Sequence, residues 1–340
     1  MKKDNMEGDV YMPGYNLKEG FYREEHVSDD ELWAAFTSLF SSQATMVSSY
    51  KYGFLKAIID NLYNTDEELQ LSFKQLFSKF AEIYWNLILK YHLKQQSKKK
   101  TYLEQIIHDS VHKYALPDGI PYESLTDDMM DDVSYQVKQK CKKYVIGALF
   151  EDTKRLFYSF SKKEEKIKIK PEMYTFICKH KVAIEKLNYY EWARFLERIN
   201  ESGEADHLLS KIDESAKRSN LSFYRDILFQ EFENKCFYCG RPVTKDYVEV
   251  DHFIPWSFIK DDQIWNFVLA CPECNSKKRD KLAQVGFLNK ICERNEIMVG
   301  KKQIDSPDIS KRIKMIYNWA QKNGYDKIWT PRKVALLNDR

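Results

Sequence analysis

Four of the seven cysteines form two Cys-x-x-Cys pairs, Cys236 with Cys239 and Cys271 with Cys274. Each pair can close a short loop around a metal ion, and two pairs together supply the four thiolates of a tetrahedral zinc site. A disulfide framework is a poorer explanation, because the number of cysteines is odd and the first residues lack the apolar stretch of a secretory signal. A thioredoxin-like redox centre would use one pair, not two. The spacing therefore predicts a structural zinc site, with four unrelated buried cysteines as the alternative.

An Asp-His pair, Asp251-His252, lies between the two cysteine pairs, and Asn275 directly follows the second pair. Histidine ordinarily titrates near neutral pH, so His252 can take the proton of an attacking water. The side-chain oxygens of Asp251 and Asn275 suit Mg²⁺ or Mn²⁺, which would keep other coordination positions for phosphate and water. This set of residue types could hydrolyse a phosphodiester bond with one divalent cation.

A run of cations, Lys277, Lys278 and Arg279, follows Asn275. At the start of a helix these side chains could contact the phosphates that flank a scissile bond, although a solvated charged face is the alternative. Basic residues also outnumber acidic ones from residue 221 onward, and residues 311–320 form an amphipathic basic pattern. We expect that segment to be a helix which packs on the zinc-stapled region through its apolar side.

The elements that must position these residues can be read from the local pattern. The alternation in YVEVDH predicts a strand, NFVLACP predicts a second strand antiparallel to it, and a helix is expected from Asn275 through KLAQVGFL. The result is a strand–loop–strand–helix unit whose two ends are joined by one zinc ion. So small a unit has little core of its own, so the metal would supply folding free energy directly.

Over roughly residues 230–285 the sequence resembles the HNH, or ββα-metal, nuclease superfamily. The residues that carry the resemblance are Asp251, His252, Asn266, Asn275 and the four paired cysteines. The D-H-x-x-P-x-S opening is similar to the HNH domains of CRISPR RNA-guided nucleases, and the bracketing cysteine pairs are similar to McrA-type restriction endonucleases. The last position is a departure, since many relatives have histidine where this chain has Asn275. The resemblance implies that Asn266 orients the loop presenting His252 and is not a metal ligand.

The resemblance also implies a function: a metal-dependent endonuclease that acts on DNA, double-stranded DNA more than RNA, by nicking or by double-strand cleavage. Stand-alone proteins with a helical N-terminal part and a C-terminal HNH unit are often found in bacterial restriction and anti-phage defence, so the resemblance implies that context. The alternative is a zinc-stapled nucleic-acid-binding or regulatory subunit of a larger defence complex that does not cleave. That alternative predicts loss of Asp251, His252 or Asn275, and all three residues are present.

The rest of the chain reads as helical. Hydrophobic residues make up 43% and aromatic residues 14% of the sequence, with only 11 Gly and 9 Pro, which favours a large helical core over a sandwich rich in turns. Aromatic residues recur at helical spacing and are predicted to be core, as are Cys141 and Cys178, while Cys292 is not needed as a zinc ligand. His108 and His112 lie four residues apart but lack the glutamate of an H-E-x-x-H motif, so no metal site is predicted there.

We therefore predict a mainly α protein, in which a helical N-terminal domain precedes a small zinc-stabilised ββα-metal nuclease domain. The expected boundaries are an N-terminal arm at 1–28, the helical domain at 29–220, the nuclease domain at 221–290 and a basic helical tail at 291–340. No apolar run approaches the roughly 18 residues that span a bilayer, so a cytoplasmic location without membrane contact is expected. The helical domain would position the nuclease, through a protein partner or a second copy of the chain.

Overall fold

The computed structural model describes residues 14–41, 47–97, 100–201, 207–215, 221–304, 306 and 308–331. The chain divides into two compact units, Met1–Lys217 and Arg218–Arg340. As predicted, the protein is mainly α-helical. The first part of the expected arm, residues 1–13, and the end of the expected tail, residues 332–340, lie outside the described residues.

The first unit consists of helices around one small sheet. Its elements, in chain order, are β1 (Glu19–Gly20), α1 (Asp29–Phe40), α2 (Tyr50–Asp60), β2 (Gln70–Ser72), α3 (Phe73–Trp85), α4 (Tyr102–Lys113), α5 (Asp127–Asp152), β3 (Tyr158–Ser161), β4 (Lys166–Ile169), α6 (Pro171–Glu197) and α7 (Leu208–Asp213). The four strands form an antiparallel sheet in the order β1-β3-β4-β2. A capping box begins α1: Ser28 accepts from the backbone of Glu31, and the Glu31 carboxylate accepts from the backbone of Ser28.

The core of this unit is aromatic. Phe73, Phe77 and Phe80 lie on one side of α3 and are fully buried, and the rings of Phe77 and Phe80 meet edge to face at 5.8 Å. These side chains are core residues, as predicted, rather than an exposed surface for stacking bases. Cys141 and Cys178 are buried as well, and burial raises the pKa of each thiol to about 12, so both stay protonated near neutral pH.

The strands of the first unit differ from the sequence expectation. The sequence reads as helical throughout this region, yet α5 ends at Asp152 and is followed by β3 and β4. Residues 142–150 and 174–184, although rich in Val, Ile, Phe and Tyr, lie inside helices. Strand β3 alternates between buried and half-buried side chains where it pairs with β4. Pairing with distant segments, including β1, stabilises this hairpin, and a local pattern does not contain that information.

The part of the expected arm that the structure describes, residues 14–28, belongs to the first unit. Strand β1 pairs with β3, and a Cβ atom added at Gly20 would come within 2.5 Å of the Phe160 ring, so a larger residue would displace that ring. The buried Lys170 ammonium donates to the carbonyl oxygen of Glu25 at 2.6 Å. Residues 14–28 are therefore held by backbone pairing and by a buried charge.

The second unit contains all of the residues predicted to do chemistry. Its elements are α8 (Ser222–Glu231), β5 (Glu249–His252), α9 (Trp256–Ile259), β6 (Phe267–Ala270), α10 (Pro272–Lys278), β7 (Leu282–Ala283), α11 (Val285–Gly300), α12 (Ile309–Lys322) and β8 (Ile328–Trp329). Strands β5 and β6 are antiparallel, and β7 and β8 are parallel. The predicted strand–loop–strand–helix order is present.

The helix after the second strand is shorter than predicted. We expected it to run from Asn275 through 288, but α10 begins at Pro272 and ends at Lys278. Arg279 adopts φ +48° and ψ −129°, a conformation that a helix cannot continue through. The chain then forms β7 and resumes as α11 at Val285. The expected boundary between nuclease domain and tail, at 290/291, therefore falls inside α11.

The C-terminal helices belong to the second unit. Helix α12 packs on α11 and buries Ile313, Ile316 and Tyr317. The Tyr317 ring stacks on Phe253 with centroids 6.3 Å apart, and its hydroxyl donates to the Ala283 carbonyl at 2.6 Å. The tail therefore supports the strand that carries His252. Among the described residues, no helix has the length and apolar character needed to cross a membrane.

Candidate zinc centre and active site

The four paired cysteines converge. Their Sγ atoms lie within 4.8 Å of one another, and those of Cys239 and Cys271 are 3.9 Å apart. Zn–S bonds of about 2.3 Å in a tetrahedron put sulfur atoms about 3.8 Å apart, so the thiols are close to the required arrangement. Cys292 lies outside this cluster, where its thiol donates to the Ser310 carbonyl at 3.7 Å. The cluster thus fits the predicted structural zinc site.

Backbone contacts shape the two loops that carry these thiols, which we call the zinc knuckles (residues 236–239 and 271–274). In the first knuckle, the Gly240 amide donates to the Cys236 carbonyl at 2.9 Å, and Gly240 has φ +70°, which favours glycine. In the second, the Asn275 amide donates to the Cys271 carbonyl at 3.1 Å, within the first turn of α10. Closing the second knuckle therefore also places Asn275.

The antiparallel pair β5–β6 carries the Asp-His pair. Asp251 lies opposite Val268 and His252 opposite Phe267, so both residues are held by ladder pairing. A cavity of about 360 Å³ opens beside them. Its lining includes Glu249, Asp251, His252, Pro255, Trp256, Asn275, Arg279 and Asp280. The residues predicted to bind a cation and to take a proton therefore face one cavity.

His252 has a carboxylate partner that the sequence did not indicate. Its Nε2 atom lies 2.7 Å from Oδ1 of Asp262, and the two side chains are only 5% and 10% exposed. The imidazole also meets the edge of Phe267, with centroids 4.7 Å apart. Because Nε2 is bound to Asp262, Nδ1 is the ring nitrogen left to receive a proton from water.

Asn266 closes the loop between the two strands. Its Oδ1 accepts from the Ile254 amide at 2.8 Å, and its Nδ2 donates to the Ile254 carbonyl at 2.9 Å. The backbone adds a third bond, from the Phe253 amide to the Asn266 carbonyl at 2.7 Å. Asn266 is buried and does not line the cavity, so it contacts the loop that follows His252 and not the site itself.

Two residues of α11, Arg294 and Asn295, bind the backbone around the start of β6, and the sequence analysis predicted neither of them. Arg294 donates to the Trp265 carbonyl at 3.0 Å and to the Phe267 carbonyl, and Asn295 donates to the Trp265 carbonyl at 2.8 Å. Burial lowers the pKa of Arg294 to about 9, which still leaves the guanidinium charged near neutral pH. No local sequence signal could have found them, because their carbonyl partners lie about 30 residues earlier in the chain.

Asp251 is held by two donors. The Tyr238 hydroxyl donates to Asp251 Oδ2 at 2.5 Å, and the Lys278 ammonium lies 2.9 Å from the same oxygen and 3.3 Å from Oδ1. Lys278 also donates to the His252 carbonyl at 2.7 Å. Burial, and after it the negative charge of Asp251, raises the pKa of Tyr238 well above its usual range, so the phenol is a neutral donor.

This arrangement corrects one prediction. Lys278 was expected to contact DNA phosphates, but its side chain is 0% exposed and its charge is paired with Asp251. The helical period explains the difference, because Lys278 lies four residues after the buried Cys274 and therefore on the same, inward side of α10. Lys277 and Arg279 are exposed, with Lys277 paired to Glu273 at 2.6 Å and Arg279 on the cavity wall.

Asn275 and Glu249 meet across the cavity. The Asn275 amide nitrogen donates to Glu249 Oε2 at 2.6 Å, which turns the Asn275 carbonyl oxygen toward other partners. Carboxylate and amide oxygens are the donors that Mg²⁺ and Mn²⁺ prefer, and a cavity of about 360 Å³ has room for a cation that keeps several waters. The donor set of Asp251 and Asn275, with Glu249 beside them, therefore fits a divalent cation.

A comparison with protein families agrees with this arrangement. Residues 236–284 match the family model described as HNH endonuclease. The matched segment begins at the first cysteine of the first knuckle and includes both knuckles, the Asp-His pair, Asn266 and Asn275. No curated protein and no solved structure matches the chain.

Proposed function

We propose that this protein, whose residues 236–284 form an HNH endonuclease domain, is a metal-dependent nuclease that hydrolyses phosphodiester bonds of DNA. The observation that carries the proposal is the cavity in which His252, with Asp262 behind its ring, faces the oxygen donors Asp251 and Asn275. We refer to Asp251, His252 and Asn275 as the catalytic trio. A site that only binds nucleic acid would not need a buried base and cation ligands together.

The chemistry follows from the contacts of each side chain. His252 Nδ1 takes the proton of the attacking water, and the Asp262 carboxylate stabilises the imidazolium that forms. Asp251 and Asn275 would hold a divalent cation, which when bound neutralises charge on the scissile phosphate and the leaving 3′ oxygen. Asn266 keeps the loop after His252 in place through its two bonds to Ile254. The zinc centre has no role in the reaction itself and holds the two knuckles together.

Exposed cations of the second unit suit a phosphate backbone. Lys277 and Arg279 lie at the end of α10, next to the cavity, and Arg279 lines it. Helix α12 presents Lys311, Lys314 and Lys322 on its solvent side, one helical face by spacing. Phosphate contacts of this kind make affinity fall with salt, without giving sequence specificity.

The substrate and the setting of the reaction form the second part of the proposal. Double-stranded DNA is the proposed substrate, and restriction or anti-phage defence in the cytoplasm the proposed context, because of the resemblance to McrA-type and CRISPR-nuclease HNH domains. The helical unit is proposed to position the nuclease through a protein partner or a second copy of the chain. The second candidate function, a regulatory or nucleic-acid-binding subunit without cleavage, is disfavoured by the intact catalytic trio.

The test is cleavage of supercoiled plasmid with Mg²⁺ or Mn²⁺. We expect nicked or linear product with wild-type protein, none in EDTA, and none with His252→Ala. His112→Ala is the matched control, since His112 is exposed on α4 of the first unit, and it should cleave like wild type. The ratio of nicked to linear product distinguishes single-strand from double-strand cleavage, and an RNA duplex of equal length tests the choice of DNA.

Cleavage that persists in His252→Ala would refute His252 as the base. Zinc-loaded wild-type protein that binds the plasmid but does not cut it with either metal would favour the second candidate function.

A further inference from the structure

Tyr238 connects the zinc centre to the catalytic trio. It lies inside the first zinc knuckle, between Cys236 and Cys239, and its hydroxyl reaches Asp251 Oδ2 at 2.5 Å. The side chain is 3% exposed. One residue therefore sits between two zinc thiols in sequence and touches a catalytic carboxylate in space. The proposed function assigns no role to this contact.

The ring of Tyr238 is fixed by aromatic neighbours from other elements. It meets Trp329 edge on with centroids 5.1 Å apart, and Phe287 at 5.5 Å. The backbone of the knuckle is tied down as well, because the Phe237 amide donates to the Leu269 carbonyl at 2.8 Å. A rigid ring places the hydroxyl at one position, which is what an orienting hydrogen bond requires.

We infer that Tyr238 is a positioning residue that sets the orientation of the Asp251 carboxylate for the divalent cation and makes that orientation depend on zinc. The inference rests on the proposed function, in which Asp251 is a cation ligand. Tyr238 and Lys278 both lie close to Oδ2 of Asp251, at 2.5 and 2.9 Å. Lys278 also approaches Oδ1, but at the longer distance of 3.3 Å. Oδ1 is therefore the oxygen presented to the cation.

The dependence on zinc follows from chain connectivity. The residues at positions −2 and +1 relative to Tyr238 are zinc ligands, so zinc fixes both ends of the short loop that holds the phenol. Without zinc, the knuckle keeps its aromatic packing but loses the cross-link to the second knuckle. The hydroxyl is then free to leave Asp251, and the carboxylate keeps Lys278 as its partner.

The test is Mn²⁺ binding measured by electron paramagnetic resonance on full-length Tyr238→Phe. Loss of an outer hydrogen bond to a metal ligand typically weakens metal affinity by about 10- to 100-fold, and we expect Mn²⁺ affinity to fall by about tenfold. The Mn²⁺ concentration for half-maximal plasmid cleavage should rise by a similar factor, while the rate at saturating Mn²⁺ stays within about threefold of wild type. Asp251→Asn removes a proposed cation ligand, so the Mn²⁺ binding that this variant loses is the binding at the catalytic site.

Tyr317→Phe is the matched control. Tyr317 is also a buried tyrosine of the second unit, and it loses one hydroxyl bond of 2.6 Å, to the Ala283 carbonyl, without touching Asp251. Zinc content, and the visible d–d bands of protein reconstituted with Co²⁺, report whether the knuckles are intact in each variant. We expect both to be unchanged in Tyr238→Phe and Tyr317→Phe, with normal Mn²⁺ affinity in Tyr317→Phe only.

Three outcomes overturn one proposal or the other. Mn²⁺ affinity within about twofold of wild type in Tyr238→Phe, with a clear loss in Asp251→Asn, overturns the positioning role alone. An equal loss of Mn²⁺ affinity in Tyr238→Phe and Tyr317→Phe, or an altered Co²⁺ spectrum in Tyr238→Phe, overturns the positioning role in favour of a general structural role. Unchanged Mn²⁺ binding in Asp251→Asn overturns the cation assignment in the proposed function.

Discussion

The contact between Asp262 and His252 gives the sharpest prediction about the reaction. Asp262→Asn keeps the size of the side chain and an oxygen that can accept from the ring, but it removes the negative charge. The two side chains are 5% and 10% exposed, so solvent screens their interaction little. The variant should therefore keep the position of His252 and lose stabilisation of the imidazolium that forms as His252 takes a proton.

The size of the loss can be worked from the geometry. At 2.7 Å, Nε2 and Oδ1 make a charge-assisted hydrogen bond once the ring is protonated. Hydrogen bonds to charged groups contribute about 1.5–3 kcal/mol. Because each 1.36 kcal/mol changes a rate tenfold, Asp262→Asn should slow the cleavage step by about 10- to 150-fold. Substrate binding should change little, since Asp262 does not line the cavity.

The assay is single-turnover cleavage of a labelled DNA duplex at saturating Mn²⁺, with the apparent DNA affinity measured separately. Asp261→Asn is the matched control, because Asp261 is the adjacent acid and accepts from Gln263 at 2.7 Å instead. We expect Asp261→Asn to cleave at the wild-type rate. If His252→Ala is inactive but Asp262→Asn cleaves within about threefold of the wild-type rate, the Asp262 carboxylate does not stabilise the imidazolium of His252.

Three further predictions concern the zinc centre, the loop and the substrate. Cys274→Ser should lower the stability of the second unit and speed its limited proteolysis, while the helical first unit stays protected, because zinc binding contributes folding free energy. Asn266→Ala should lower the free energy of unfolding by about 2–4 kcal/mol in urea titrations, since it leaves the buried Ile254 amide and carbonyl without their side-chain partner. Lys314→Glu should weaken binding to any DNA sequence and reduce the salt dependence, measured as the slope of log affinity against log salt, by about one.

Each of these has a control in the same unit. Cys292→Ser changes a buried thiol outside the cluster and should leave proteolysis unchanged. Asn318→Ala removes an exposed amide of α12 and should leave the unfolding free energy unchanged within about 0.5 kcal/mol. Lys302→Glu reverses the charge of an exposed lysine outside α12. If it lost as much DNA affinity as Lys314→Glu, that result would contradict a specific role for α12.

The zinc ligands and the Asp-His pair could be predicted because their residue types and spacing are unusual. Few arrangements other than zinc coordination explain two Cys-x-x-Cys pairs, and the local alternation around Asp251 was enough to predict the strand. The order of elements in the second unit followed from the same short patterns. Where α10 ends could not be read, because Arg279 has a positive φ of 48° and the β7 strand that follows pairs with β8, a segment far away in the chain.

The supporting contacts of the site could not be predicted from the sequence. Asp262, Tyr238 and Arg294 are ordinary residue types at ordinary spacings, and each acquires its role only when distant segments pack together. Lys278 is the opposite case, a residue to which the sequence pattern assigned a different role. In sequence it is one of three consecutive cations, and only the rotation of α10 against β5 decides that its ammonium points inward to Asp251.

The catalytic trio shares one principle of construction. A neighbour binds each of its side chains: Asp262 contacts the histidine, Tyr238 and Lys278 contact the aspartate, and Glu249 accepts from the amide of the asparagine. Side chains held in this way need little reorganisation when charge develops in the reaction. Both zinc knuckles contribute to this support, since Tyr238 lies within the first and Lys278 follows the second in α10. On this proposal the zinc centre does more than stabilise a small domain, because the chain segments it joins are those that orient the Asp251 carboxylate.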